Sequence, residues 1–188
     1  MSRALETFVA ECRRAVEGVD DAHACVCRTA PLMQALLADR ADFLKSEHLR
    51  ADPDHYARNA IYVPDDGRLS LFALVWNPGQ WTPVHDHGTW GVVGVVSGVL
   101  EEQAYVPDGV AMGMDEGIRM TPGALILMAQ GTVTTFVPNP DHIHRTGVPA
   151  ERKQAVSLHL YGRTMNSFHV YDLDAGTRRL IDVPHYKS

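Results

Sequence analysis

The sequence predicts a mainly β fold, an antiparallel sandwich or small barrel with an α-helical section at its N-terminus. Two observations lead to it. From near Asp52 onward, short apolar or alternating runs follow one another: "RNAIYV", "RLSLFALVW", "GVVGVVSG", "EEQAYV", "GALILMAQG", "TVTTFV" and "AVSLHLYG". Gly, Pro, Asn and Asp punctuate them at the spacing of an antiparallel β domain. Before that point, apolar residues recur at helical spacing instead.

Each element can be argued in order. Residues 2–17 place Leu5, Phe8, Val9, Cys12 and Val16 on one helical face, with Ser2 as N-cap and Gly18 as the stop. A second helix is expected from about Thr29, with Pro31 in its first turn and Leu32, Met33, Leu36 and Leu37 on its apolar side. Cys25 and Cys27 then fall between two helices and read as ordinary free thiols. A shorter helical piece is expected over Ala41 to Leu49. "VPDDGR" (Val63 to Arg68) sets Asp-Gly between two strand-like runs, a hairpin signal. The tail "SFHVYDLDAGTRRLIDVP" reads as a terminal hairpin through Asp174 to Thr177. The chain, 1–188, is expected to be a single domain: a helical section over 1–50, then a barrel with a C-terminal hairpin over 51–188.

Composition narrows the function. A chain of 188 residues, 45% hydrophobic, suits one globular unit that buries roughly 70% of its unfolded surface. A net charge of −6 without a Lys/Arg cluster argues against nucleic acid as a partner. No run approaches the ~20 apolar residues of a membrane span, and no signal-peptide core opens the chain. Three cysteines, Cys12, Cys25 and Cys27, do not make a disulfide framework. A cytoplasmic protein is the expectation. A homodimer is also compatible with the sequence, since barrel edges and N-terminal helices could equally cap or dimerise.

The chemistry concentrates in "TPVHDHGTWGVVGVVSG", Thr82 to Gly98. In a strand, His85 and His87 face the same way, about 7 Å apart by strand rise, with Asp86 turned opposite. Two imidazoles so placed can reach one metal ion. Gly79, His85-x-His87 and Gly98 together resemble the first signature of the cupin superfamily, which normally adds a glutamate three or four residues after the second histidine. Here Gly91 and Val92 stand there, and the carboxylate is absent. A third ligand must come from elsewhere. "DHIHRTG" offers His142 and His144, between which spacing alone does not choose. Three imidazoles would leave open positions on an octahedral ion, and imidazole suits iron, zinc, copper and nickel alike.

Four segments, taken together over Tyr56 to Gly162, resemble the cysteine dioxygenase family of thiol dioxygenases, and its bacterial members in particular. They are "YARN" (Tyr56 to Asn59), "VWNPGQWTPVHDH", "IHRTG" and "AVSLHLYG". The resemblance implies a cupin-type barrel and a mononuclear Fe(II) centre that adds both atoms of O2 to a thiol, giving a sulfinic acid. It selects His144 as the third metal ligand beside His85 and His87. It implies that Arg58, with Tyr56 beside it, binds a substrate carboxylate. It makes Ser157, His159 and Tyr161 a hydrogen-bonded set whose phenol reaches toward oxygen. Their i, i+2, i+4 spacing agrees, since one strand presents all three to one face. The cysteine that crosslinks to the tyrosine in mammalian members has no counterpart, because no cysteine follows Cys27. Arg58 stands where mercaptopropionate-oxidising relatives carry glutamine, which favours cysteine as substrate. Arg163 is a second candidate carboxylate partner that keeps a diacid such as mercaptosuccinate in view.

Plainer readings accompany each of these. Arg58 could serve a structural ion pair, Tyr161 could be simple core, and Trp76, Trp81 and Trp90 could be barrel packing. His23, His48, His55, His169 and His185 are scattered and read as surface residues. A non-catalytic cupin binding a metal or small ligand, and a metal-dependent isomerase or hydrolase, are the readings from other classes.

Overall fold

The structure, a computed structural model, describes residues 1–39, 43–108, 114–138 and 142–186. Two helices open the chain, α1 (Arg3–Val16) and α2 (Ala22–Ala38), followed by a 3-10 turn over Ser46–Leu49. The strands come next: β1 (Ala57–Tyr62), β2 (Arg68–Trp76), β3 (Val84–His85), β4 (Gly91–Ser97), β5 (Val99–Pro107) and β6 (Met120–Ala129). They continue with β7 (Val133–Phe136), β8 (Ile143–Gly147), β9 (Ala155–Arg163), β10 (Ser167–Asp172) and β11 (Thr177–Asp182).

All strand pairs are antiparallel and fall into two sheets, ordered β1-β2-β9-β4-β7 and β11-β10-β3-β8-β5-β6. This is the mainly β, two-sheet antiparallel architecture with N-terminal helices that the alternating runs imply. The first sheet is covered on both faces, which is why β2 reads as an almost unbroken apolar run. Its Phe72, Leu74 and Trp76 face the space between the sheets, where Val93, Leu100 and Phe168 join them. Its Leu71 and Ala73 face the other way, with Leu158 and Leu160 of β9, against Leu5, Phe8, Met33 and Leu36 of the helices. At Gly94 of β4 helix α2 comes so close that a Cβ would meet Met33 and Leu37.

Helix α1 forms as its pattern predicts, capped by Ser2, whose hydroxyl accepts from the Leu5 amide. Helix α2 differs from the expectation in two ways. It begins at Ala22, capped by the Asp21 carboxylate, so Cys25 and Cys27 lie within it rather than between helices. Pro31 sits mid-helix instead of in the first turn. That is tolerated because Pro31 and Cys27 are both exposed, so the carbonyl that loses its amide partner faces water. Of the helical piece expected over 41–49, the 3-10 turn forms; residues 41 and 42 lie outside the described residues. His48 is buried there, not at the surface, with its Nδ1 accepting from the Lys45 amide.

Both expected hairpins form. Gly67 takes φ +68° in the turn between β1 and β2, and Gly176 takes φ +64° between β10 and β11. After β11 the chain doubles back over β1: the Tyr186 amide donates to the Arg58 carbonyl, and the Ala60 amide to that of Tyr186. Among the described residues no helix is long and apolar enough to cross a membrane.

Candidate metal centre

His85, His87 and His144 converge inside the barrel, all buried, with their ligand nitrogens within 4.8 Å of one another. Register explains the convergence. His85 on β3 is the direct cross-strand partner of His144 on β8, and His87 follows just beyond the end of β3. Asp86, between the two histidines, points away and anchors the segment. Its carboxylate accepts from the His169 amide (2.9 Å), His169 Nδ1 (3.0 Å) and the Tyr171 hydroxyl (2.9 Å) on β10.

The donor set suits a metal. His85 Nδ1 lies 3.1 Å from the Pro83 carbonyl, His87 Nδ1 lies 3.2 Å from that of His142, and His144 Nδ1 lies 2.9 Å from the Glu102 carboxylate. Each of these oxygens can only accept, so each Nδ1 carries the proton and each Nε2 keeps its lone pair. Burial holds all three imidazoles below their ordinary pKa, most strongly His85 and His87, so they are neutral donors. Metal–nitrogen bonds of about 2.1 Å let three such groups share one ion.

The position of the missing glutamate is filled rather than vacant. A Cβ at Gly91 would run into the ring of Phe136, its cross-strand partner on β7. That ring in turn lies 4.1 Å, centroid to centroid, from the His87 imidazole. An aromatic face therefore borders the centre beside Gly91, one of the two positions at which the sequence lacks a carboxylate.

On β9, Ser157, His159 and Tyr161 form one chain on the inner face. Ser157 Oγ lies 2.9 Å from His159 Nε2, and His159 Nδ1 lies 3.1 Å from the Tyr161 hydroxyl. Burial pushes His159 down to about 3 and raises the Tyr161 phenol, so both are neutral at ordinary pH. Trp76 extends the chain: its indole N–H donates to Ser157 Oγ at 2.9 Å. The sequence leaves Trp76 open between a pocket wall and barrel packing; its phase with Phe72 and Leu74 on β2 turns it inward, where it lines the cavity.

Arg58 and Tyr56 line the same cavity as the three histidines, His159 and Tyr161. The Arg58 guanidinium lies over the Phe72 ring and donates to the carbonyls of Val183, Pro184 and Met165. No carboxylate among the described residues pairs with it. Tyr56 stacks on Trp76 at 4.7 Å. Arg163 does not join them: it donates to the carbonyls of Thr164, His87 and Ser167 and is not part of the cavity wall. The cavity measures about 20 Å³, and a second, outer cavity of about 350 Å³ lies across Tyr56 and Arg58 beneath the returning segment Val183–Tyr186.

One residue of the centre escaped sequence reading altogether. Glu102 on β5 is 5% exposed, and its two oxygens lie 2.9 Å from His142 Nε2 and 2.9 Å from His144 Nδ1. Burial would raise its pKa, but the two imidazole hydrogen bonds overcome that and hold it well below the usual carboxylate range. Its signal was strand phase: Leu100 and Glu102 alternate onto the buried face, while Glu101 is half-buried.

An antiparallel barrel that turns three neutral imidazoles toward one point is the architecture of a metal-dependent β-barrel enzyme. The model of the family "Cysteine dioxygenase type I" matches residues 2–174, and the chain belongs to that family. It is an oxidoreductase of the thiol dioxygenase class. The chain is 21% identical over 159 residues to human cysteine dioxygenase type 1, covering 84% of this chain and 74% of that one. The zebrafish (Danio rerio) protein of the same name is 22% identical over 158 residues, 84% and 75% of the two chains. Among solved structures, a Klebsiella pneumoniae protein with a double-stranded β-helix domain aligns with TM-score 0.48 at 12% identity, over 77% of this chain and all of that one. A cupin-like protein from Thermotoga maritima aligns with TM-score 0.45 at 13% identity, over 76% and 90%.

Proposed function

We propose that the protein is an Fe(II)-dependent dioxygenase for a small thiol-bearing carboxylic acid, with cysteine converted to cysteine sulfinate as the leading assignment. The observation that carries the acid is Arg58, a buried guanidinium beside the three imidazoles with no carboxylate partner among the described residues. A buried charge without a counter-ion is costly, and a substrate carboxylate would supply one through two charge-assisted hydrogen bonds. His85, His87 and His144 would hold the iron. The iron would supply the redox chemistry by which O2 is added to the thiol sulfur.

The chain's own residues do the rest. Arg58, flanked by Tyr56, orients the carboxylate and so fixes which end of the substrate faces the imidazoles. The Tyr161 hydroxyl, held by His159, donates toward the oxygen that gains negative charge as sulfur is oxidised. Phe136 and Phe168, packed on His87 and His85, keep water from the reacting atoms.

Because Arg58 lines the cavity and Arg163 does not, the cavity wall carries a single guanidinium among the described residues. That favours a monocarboxylate, cysteine or 3-mercaptopropionate, over mercaptosuccinate. The test is oxygen uptake by iron-loaded protein with cysteine, 3-mercaptopropionate, mercaptosuccinate and cysteamine, with the sulfinate detected by mass. We expect turnover of cysteine and none of cysteamine, which lacks the carboxylate. Equal turnover of the two would remove Arg58 from substrate binding, and no uptake with any thiol would favour a binding protein.

A further inference from the structure

Two of the three imidazoles are tied to a single buried carboxylate that is not itself part of the three-histidine set. Glu102 reaches across from β5, where it pairs with Thr146, two positions from His144 on the adjacent strand. One oxygen accepts from His144 Nδ1 at 2.9 Å, the other from His142 Nε2 at 2.9 Å. The His142 carbonyl, in turn, accepts from His87 Nδ1 at 3.2 Å. His85 stands outside this arrangement, with Pro83 as its acceptor.

We propose that Glu102 is the positioning residue of the metal centre, fixing the ring and tautomer of His144 directly and holding the side chain of His142, whose backbone carbonyl accepts from His87. The inference rests on the reading of His85, His87 and His144 as metal ligands. Its physics is that an acceptor-only group behind an imidazole forces the proton onto Nδ1, aims Nε2 inward and raises the basicity of that nitrogen. It also supplies negative charge near an ion otherwise surrounded by neutral donors. The glutamate absent at Gly91 thus has a counterpart one imidazole further out, on a different strand. Glu102, His142 and His144 also gather closely enough to invite a second ion. Hydrogen bonds between them at 2.9 Å already satisfy those atoms, so the carboxylate works as an acceptor and not as a ligand.

The test uses the full chain, wild type against Glu102→Gln and Glu102→Ala, titrated anaerobically with Fe(II) and with Co(II) under chelator competition. Metal content per chain and the visible Co(II) spectrum are read alongside. Glutamine keeps the size and one acceptor oxygen but loses the charge, so we expect about tenfold weaker binding and displaced Co(II) bands; alanine should approach a hundredfold. A purely structural role would lower thermal stability yet leave the Co(II) spectrum of the loaded protein unchanged. Should Glu102→Ala fail to fold, the near-isosteric glutamine variant decides the question. Affinity within twofold of wild type with an unchanged spectrum overturns the proposal. So does a content of two metals per chain that falls to one in Glu102→Gln, which would make the carboxylate a ligand. If wild type binds no metal, or His85→Ala binds it as well as wild type does, the three-imidazole reading itself fails.

Discussion

The proton order in the chain from Trp76 to Tyr161 follows from what each residue is able to donate. An indole N–H only donates, so Ser157 Oγ accepts from Trp76. Ser157 is fully buried, and His159 Nε2 is the acceptor within reach of its hydroxyl hydrogen among the described residues. His159 is neutral and has one N–H, which must then sit on Nδ1 and donate to the Tyr161 oxygen. The phenolic hydrogen is left to point into the cavity. The reverse order would strand the serine hydrogen in a dry interior, at a cost of about 1–3 kcal/mol. Tyr161→Phe should therefore leave metal and thiol binding intact while lowering kcat on the order of 10²-fold, the usual effect of removing one well-placed donor. Steady-state kinetics with substrate affinity measured separately would check this; an unchanged kcat would refute a donor role.

Among the elements, β8 leaves little tolerance against backbone. It carries His144, and at Gly147 it passes so close to the Gln80–Trp81 segment that a Cβ would strike the Gln80 carbonyl. A backbone atom cannot swing aside as a side chain can. Gly147→Ala should cost about 1–3 kcal/mol and lower Tm by several degrees, at about 2–4 °C per kcal/mol for a chain of this size. It should also weaken metal binding by shifting His144; a melting curve and a metal titration on the same variant would show both. Strand existence was legible in the sequence because alternation and turn residues agree at almost every run. The start of α2 was not, because Pro31 suggested a first turn and the Asp21 cap lay upstream of it. Strand phase turns Glu102 and Trp76 inward, but the partners they meet there were not legible. A polar residue on the inner face of a strand looks like any other until the opposing strand shows what it meets, and His142 and Ser157 come from distant stretches of chain.

Viewed as a whole molecule, the protein gathers neutral histidines in its interior. Burial holds His85, His87, His144, His159 and His48 below their ordinary pKa in the metal-free chain. In the unfolded chain each would take up a proton near pH 6.5, whereas in the folded chain each resists until lower pH. The unfolded state thus binds more protons below that value, and stability falls as pH drops. The slope is about 1.4 kcal/mol per pH unit for each histidine fully inside its window. Urea midpoints of metal-free protein should accordingly move to lower denaturant between pH 7.5 and 5.5. A midpoint that holds steady or rises would contradict the burial of these imidazoles.

The Phe136 ring that fills the notch at Gly91 constrains how this centre could ever change. Reinstating an acidic side chain at 91 demands that the aromatic be trimmed in the same stroke, since either replacement alone leaves a collision or a hole beside His87. An acidic side chain introduced at 91 alone would meet the Phe136 ring head-on.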